Sequence, residues 1–160
     1  MSFDKQVSET CKACYFHIRA LRHIRTSLTT EASKTIAVAI VGSRLDYCNY
    51  LLAGTSISNL TCLQRVQNTL ARVVAQKPRF CHITPVLSDL HWLPVRHRIS
   101  FKIATVTFRV LQFQQPSYLA SLIPKYVPTR ALRSSSSLLF PHEKPPWQTL
   151  IHFRLLLHTG

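Results

Sequence analysis

His91-Trp92-Leu93-Pro94-Val95-Arg96-His97-Arg98-Ile99-Ser100-Phe101-Lys102-Ile103-Ala104-Thr105-Val106-Thr107-Phe108-Arg109-Val110-Leu111 reads as one helix. Pro94 falls in its first turn, where a missing N–H costs nothing. At about 100° per residue the apolar side chains divide between two faces. Val95, Ile99, Ile103, Val106 and Val110 make one stripe, and Phe101, Ala104, Phe108 and Leu111 make another, nearly opposite. A helix apolar on two sides needs cover on two sides. This segment is therefore predicted to be the central helix, with neighbours on both flanks. Between the stripes runs a narrow basic line, Arg98, Lys102 and Arg109, read as an open cationic seam. The bland alternative for that line is a solvated edge.

Upstream, Asp4 to Arg25 carries Val7, Cys11, Cys14, Ile18 and Leu21, with Leu28 beyond, at the 3–4 spacing of a buried helical stripe. Lys5, Lys12 and Arg19 recur every seven residues on a separate line. Thr29 suits the N-cap of a second helix, with Glu31 well placed in its first turn. That helix, Thr30 to Val41, is rich in Ala and Ile and is predicted to be well buried. Gly42-Ser43 loosens it, and Arg44 to Leu52 continues as a short helical segment stopped at Ala53-Gly54. Ser56 or Ser58 caps a third long helix reaching about Gln76. Ile57, Leu60, Leu63, Val66, Leu70 and Val74 form its core face, while Arg65 and Arg72 project to the opposite side. Lys77 to His82 is a connector, and Thr84-Pro85 opens a short helix leading to Leu90.

Downstream, Gln112 to Pro116 ends the helix, and Ser117 to Ile123 adds a turn or two. Pro124, Pro128 and the Ser134–Ser137 run make residues 124–146 a linker, in which Leu138, Leu139 and Phe140 suit one short strand. Residues 147–160 have no convincing period. The fold class is mainly α, a bundle of about five to six helices within residues 1–123.

The 160 residues include 20 Lys plus Arg against 6 Asp plus Glu, a net charge of +14, and Arg outnumbers Lys thirteen to seven. Arg suits bidentate phosphate contacts. A chain this basic repels itself unless it meets a polyanion, which makes nucleic acid the leading partner. A membrane surface fits less well, because the cations are spread over several helices. The first residues are polar with no apolar leader, and the longest apolar run is too short to span a bilayer. Five irregularly spaced Cys argue against a disulfide framework and suit a reducing, intracellular setting, cytoplasm or nucleus.

Bond-making chemistry has little to work with. Two-metal polymerase and nuclease sites need clustered carboxylates, and Asp4, Glu9, Glu31, Asp46, Asp89 and Glu143 are each isolated. Phosphate-loop, dinucleotide and nucleophile-elbow patterns are missing, so no cofactor or small-molecule substrate is expected. Cys11-x-x-Cys14 with His17 and His23 is the one metal-like pattern, but Cys11 and Cys14 lie on an apolar stripe, where Cys is commonly a small buried hydrophobe.

Several strings carry a resemblance. They are Ser43-Arg44-Leu45-Asp46-Tyr47-Cys48-Asn49 with Leu51-Leu52-Ala53-Gly54, and Leu63-Gln64-Arg65-Val66-Gln67-Asn68 with Ala71-Arg72. Next come His82-Ile83-Thr84-Pro85-Val86-Leu87 and Leu90-His91-Trp92-Leu93-Pro94-Val95 with Arg98-Ile99-x-Phe101-Lys102. Pro116-Ser117-Tyr118-Leu119 and Leu132-Arg133-Ser134-Ser135 complete them. In this order, over about residues 4 to 140, the strings resemble the region behind the catalytic palm in non-LTR (LINE-type, jockey-like) retrotransposon reverse transcriptases. The resemblance implies a non-catalytic thumb and connection segment of an RNA-directed DNA polymerase, whose paired catalytic aspartates have no counterpart here. It also implies contact with an RNA or DNA template–primer duplex, through Lys5, Lys12, Arg19, Arg65, Arg72, Arg98, Lys102 and Arg109 on basic helix faces. Two rivals stand beside it: a helical piece that packs on a reverse transcriptase palm, and a decayed transposon remnant without activity.

The family continues with a Gly-x-Arg-x-Phe block where this chain has Trp147-Gln148-Thr149-Leu150-Ile151-His152-Phe153-Arg154. Codons for those residues, read one base later, can spell Gly-Lys-Arg-Ser-Phe-Thr-Ser-Ala. A frameshift just before Trp147 is thus expected. Sequencing the coding nucleotides checks it, and a shifted frame without the Gly-x-Arg-x-Phe string refutes it.

Overall fold

The computed structural model describes residues 3–123, so the 124–146 linker, its Leu138–Phe140 strand and the 147–160 tail lie outside the described residues. Among the described residues the regular elements are all helical, as the hydrophobic periodicity predicts. Two compact units divide the chain between Ile99 and Ser100.

In the first unit, α1 spans Asp4–Ile24 and closes in a 3-10 turn, Arg25–Ser27. α2 spans Thr30–Ala37, and the Thr29 hydroxyl accepts the Ala32 N–H at 3.2 Å, the cap expected of that residue. From Val38 to Gly42 the helix widens into a π turn before α3, Ser43–Asp46. Cys48 takes a left-handed conformation (φ 50°), and the chain re-coils as a 3-10 turn over Asn49–Leu52. Ser56 caps α4, Ile57–Val74, by accepting the Asn59 N–H at 3.3 Å. α5 spans Ile83–Asp89, and α6 starts at Val95 and runs to Phe113.

α1 and α4 pack side by side and point the same way. At their first turns Asn59 Nδ2 donates to Asp4 Oδ1 at 2.8 Å. At their far ends Arg25 Nε donates to the Val74 carbonyl at 2.8 Å. The α2–α3 segment carries the chain back between them. The core is built from Val7, Cys14, Ile18 and Leu21 of α1, Leu63, Val66, Leu70 and Val74 of α4, and Ala37, Val41 and Leu45 of the return segment.

The central member of this unit is α4, not the helix that follows Pro94. α4 packs on α1, α2 and α5, and its buried arc includes Gln67 and Asn59 beside its apolar residues. Those two polar side chains hide the width of the arc from a hydrophobic count. Gln67 is fully buried because its polar ends are matched: Nε2 donates to the Leu93 carbonyl at 2.7 Å, and Oε1 accepts from Gln64 Nε2 at 3.0 Å. Gln64 Oε1 accepts the Val95 N–H at 2.8 Å, one of the free donors at the start of α6. Ile57, read as core, is 83% exposed in the first turn of α4. Val38 and Ile40 are exposed too, because the π turn rotates them off the buried line of α2.

α6 answers to half of its prediction. Val95, Ile99, Ile103 and Val110 are buried, whereas Phe101 (65%) and Phe108 (58%) stand exposed with Ala104, and only Leu111 of that second stripe is buried. The second unit holds the rest of α6 and a short α7, Ser117–Ala120.

Arg25 is the buried cation of the first unit, and beside Val74 it also reaches the Leu28 carbonyl (Nη1, 2.9 Å) and Thr30 Oγ1 (Nη2, 3.3 Å). Truncating it strands buried carbonyls. Arg25→Ala is expected to lower unfolding stability by about 2–4 kcal/mol in urea titrations, against no more than about 0.5 kcal/mol for Arg22→Ala on the exposed surface.

Candidate nucleic-acid interface

Lys5, Lys12 and Arg19 stand exposed on α1. A seven-residue step leaves about 20° of rotation per heptad, so the line slants from the back of α1 toward one flank of the α1–α4 pair. Lys12 Nζ meets Glu9 Oε1 at 2.8 Å with both side chains largely in solvent, a pairing that leaves the cation easily recruited. Arg19 Nε donates weakly to the Tyr15 carbonyl at 3.4 Å.

Two thiols mark the same flank. Cys11 of α1 is pushed up from 9.0 to about 11, by burial first and then by the nearby Cys62 of α4 and by Cys14. With the helices parallel and Cys11 facing Cys62, helical spacing sets the neighbours on each side. Along α1 the line continues through Tyr15, Arg19 and Arg22; along α4 it continues through Arg65, Thr69 and Arg72. Arg22 is exposed and was not among the expected contacts. Its position three residues after Arg19 was the available signal. By helical spacing Arg19 and Arg22 lie toward the Cys11 side of α1 and Arg65 toward the Cys62 side of α4, and all three are exposed.

Other expected residues serve the fold as well. Arg72 is half-buried: Nη2 donates to the Cys81 carbonyl at 3.2 Å and ties down the connector, while buried Nε lacks a partner among the described residues. The connector itself presents Lys77 and Arg79 to solvent. Arg98 is paired with Asp46, which also accepts from Asn49 Nδ2 at 3.3 Å, so its guanidinium ties α6 to the end of α3. Lys102 and Arg109 are exposed on α6 within the second unit.

α1 and the return segment border two adjoining clefts, and Lys5 of the basic line is at the wall of the first. One of about 490 Å³ has an apolar floor of Val7, Leu45, Leu52 and Leu63, and both clefts share Arg44 and the exposed Tyr47. No three metal-ligating side chains converge among the described residues, and Cys14 is packed in the core at 0% exposure. No described helix is long and apolar enough to cross a membrane.

Compared with known protein families, with curated proteins and with solved structures, the chain matches none.

Burial raises the Cys14 thiol as well, against a smaller opposing pull from Arg44. Both raised thiols hold their protons more tightly in the folded state, so the stability they contribute is present below pH 9.0 and drains away as pH climbs above it, for Cys11 toward about 11. Denaturation midpoints are expected to fall across that window, and Cys11→Ser is expected to flatten part of the fall. At neutral pH, exposed Cys62 should be alkylated well before Cys11 and Cys14 in a mass-spectrometric time course.

Proposed function

We propose that this chain is a non-catalytic, basic helical module that grips the phosphate backbone of a nucleic-acid duplex, as the thumb and connection segment of a retrotransposon RNA-directed DNA polymerase. The observation that carries this reading is the exposure of Lys5, Lys12, Arg19, Arg22 and Arg65 on two helices aligned in parallel. These helices are clamped at both ends, so the cations keep their spacing. Lys5, Lys12 and Arg19, seven residues apart on one helix, lie about 10 Å apart in succession, which lets successive cations reach different phosphates along a backbone. Each guanidinium can meet a phosphate through two N–H donors.

The thumb assignment rests on the sequence strings, and their meeting in space supports it. Asp46 of one string pairs with Arg98 of another. Gln64 and Gln67 of a third hold Leu93 and Val95 of a fourth. Strings scattered along the sequence thus act together as one scaffold. In this reading Arg72 and Arg98 hold that scaffold together, and Lys5, Lys12, Arg19 and Arg65, joined by Arg22, face the duplex, while Lys102 and Arg109 of the second unit stand apart from this contact.

Binding of the full chain to a labelled duplex should weaken with salt. With about six phosphate contacts the slope of log affinity against log salt is roughly −5. Reversing charge at Arg19, Arg22 or Arg65 should weaken binding to every sequence alike and flatten the slope by about one contact each. A slope near zero, or variants that bind as the parent does, would reject the reading.

A further inference from the structure

The exposed phenylalanines of α6 belong to no part of the proposed phosphate contact. Phe101 and Phe108 are seven residues apart, with exposed Ala104 between them at the 3–4 step. Such spacing is half of a coiled-coil seam: two large knobs flank a small residue over which a facing side chain can settle. From Val95 to Phe113 the helix contains no acidic residue, and Lys102 and Arg109 run beside the stripe at the same interval. Exposed aromatic surface of this kind is atypical of a face meant for water alone.

We infer that Phe101, Ala104 and Phe108 form a docking seam for an acidic amphipathic helix of a partner protein, which Lys102 and Arg109 engage at its edge. Charge selects the occupant. A second copy would bring the same cations against themselves in a chain of net charge +14. Nucleic acid fits less well than a helix. A duplex keeps its bases stacked inside, and a single strand wants successive aromatic platforms, whereas here an Ala separates two rings about 10 Å apart. A partner helix repeats at that same distance by its own heptads.

The test uses the full chain and a four-heptad synthetic helix with Leu at the seam positions and Glu on both edges, followed by fluorescence anisotropy. The control peptide carries Lys at the edges. The acidic peptide should bind and the basic one should not. Phe101→Ser with Phe108→Ser should weaken binding by at least about tenfold, with an unchanged helical spectrum, since both rings are exposed. Reversing Arg19 and Arg65 should leave peptide binding intact while it weakens duplex binding, so the seam and the phosphate contact stand or fall separately. Failure of the acidic peptide to bind would overturn the seam. So would binding indifferent to the phenylalanines, which marks bulk charge attraction. Loss of oligonucleotide rather than peptide binding in the double Phe variant would reassign the face to nucleic acid.

Discussion

Two polar clamps fix how α1 lies on α4, and the first unit is organised by that alignment. Asn59 holds Asp4 at one end and Arg25 holds the Val74 carbonyl at the other, about five turns away. Between them the apolar seam supplies the driving force. Hydrophobic contact alone is indifferent to a slip of one turn, because a 3–4 pattern repeats itself. The clamps are not indifferent, since a slipped register would cost the Arg25 Nε–H its Val74 acceptor and the Asn59 amide its carboxylate. Register in turn decides which cations stand level across the pair, so the electrostatic face follows from two hydrogen-bonded corners.

A second polar set joins α6 to this frame. Gln64 and Gln67 reach across to the backbone around Pro94, and Arg98 reaches Asp46. These groups turn a connector that could swing into one with a fixed exit direction, at least as far as the end of the first unit. Positive charge divides accordingly between two duties. Arg25, Arg72 and Arg98 are anchored inward by carbonyls or a carboxylate, whereas Arg19, Arg22 and Arg65 remain turned outward. Composition alone treats these arginines as equivalent. Their neighbours make them different.

The helical class, the Thr29 cap, Ser56 as one of two candidate caps, and the α1 core line were legible in the residues, because caps and 3–4 spacing are local properties. The hub of the first unit was not. α4 buries Asn59 and Gln67, whose partners lie far along the chain, and a sequence window cannot see a satisfied amide. The two-sided apolar pattern of α6 pointed to a doubly covered helix. Only one side is covered among the described residues, since periodicity reports which side chains avoid water and not what is at hand to shield them. For the candidate interface, Lys5, Lys12, Arg19 and Arg65 were readable as solvent-facing from their angular distance to the core. The inward roles of Arg72 and Arg98 depended on a connector carbonyl and a carboxylate in other segments, and no helical wheel contains those.

The π turn at Val38–Gly42 sets the phase of everything between α2 and Cys48. A turn of this kind accommodates one residue more than its α counterpart, so it works as a vernier between two helical stretches. The extra residue turns α3 by about 100° relative to an uninterrupted helix. That rotation is what lets Leu45 face inward while Asp46 meets Arg98. Shortening this turn by one residue would swing Asp46 away from Arg98 without touching either partner of the ion pair, and the Gln64 and Gln67 bonds would then hold the start of α6 alone.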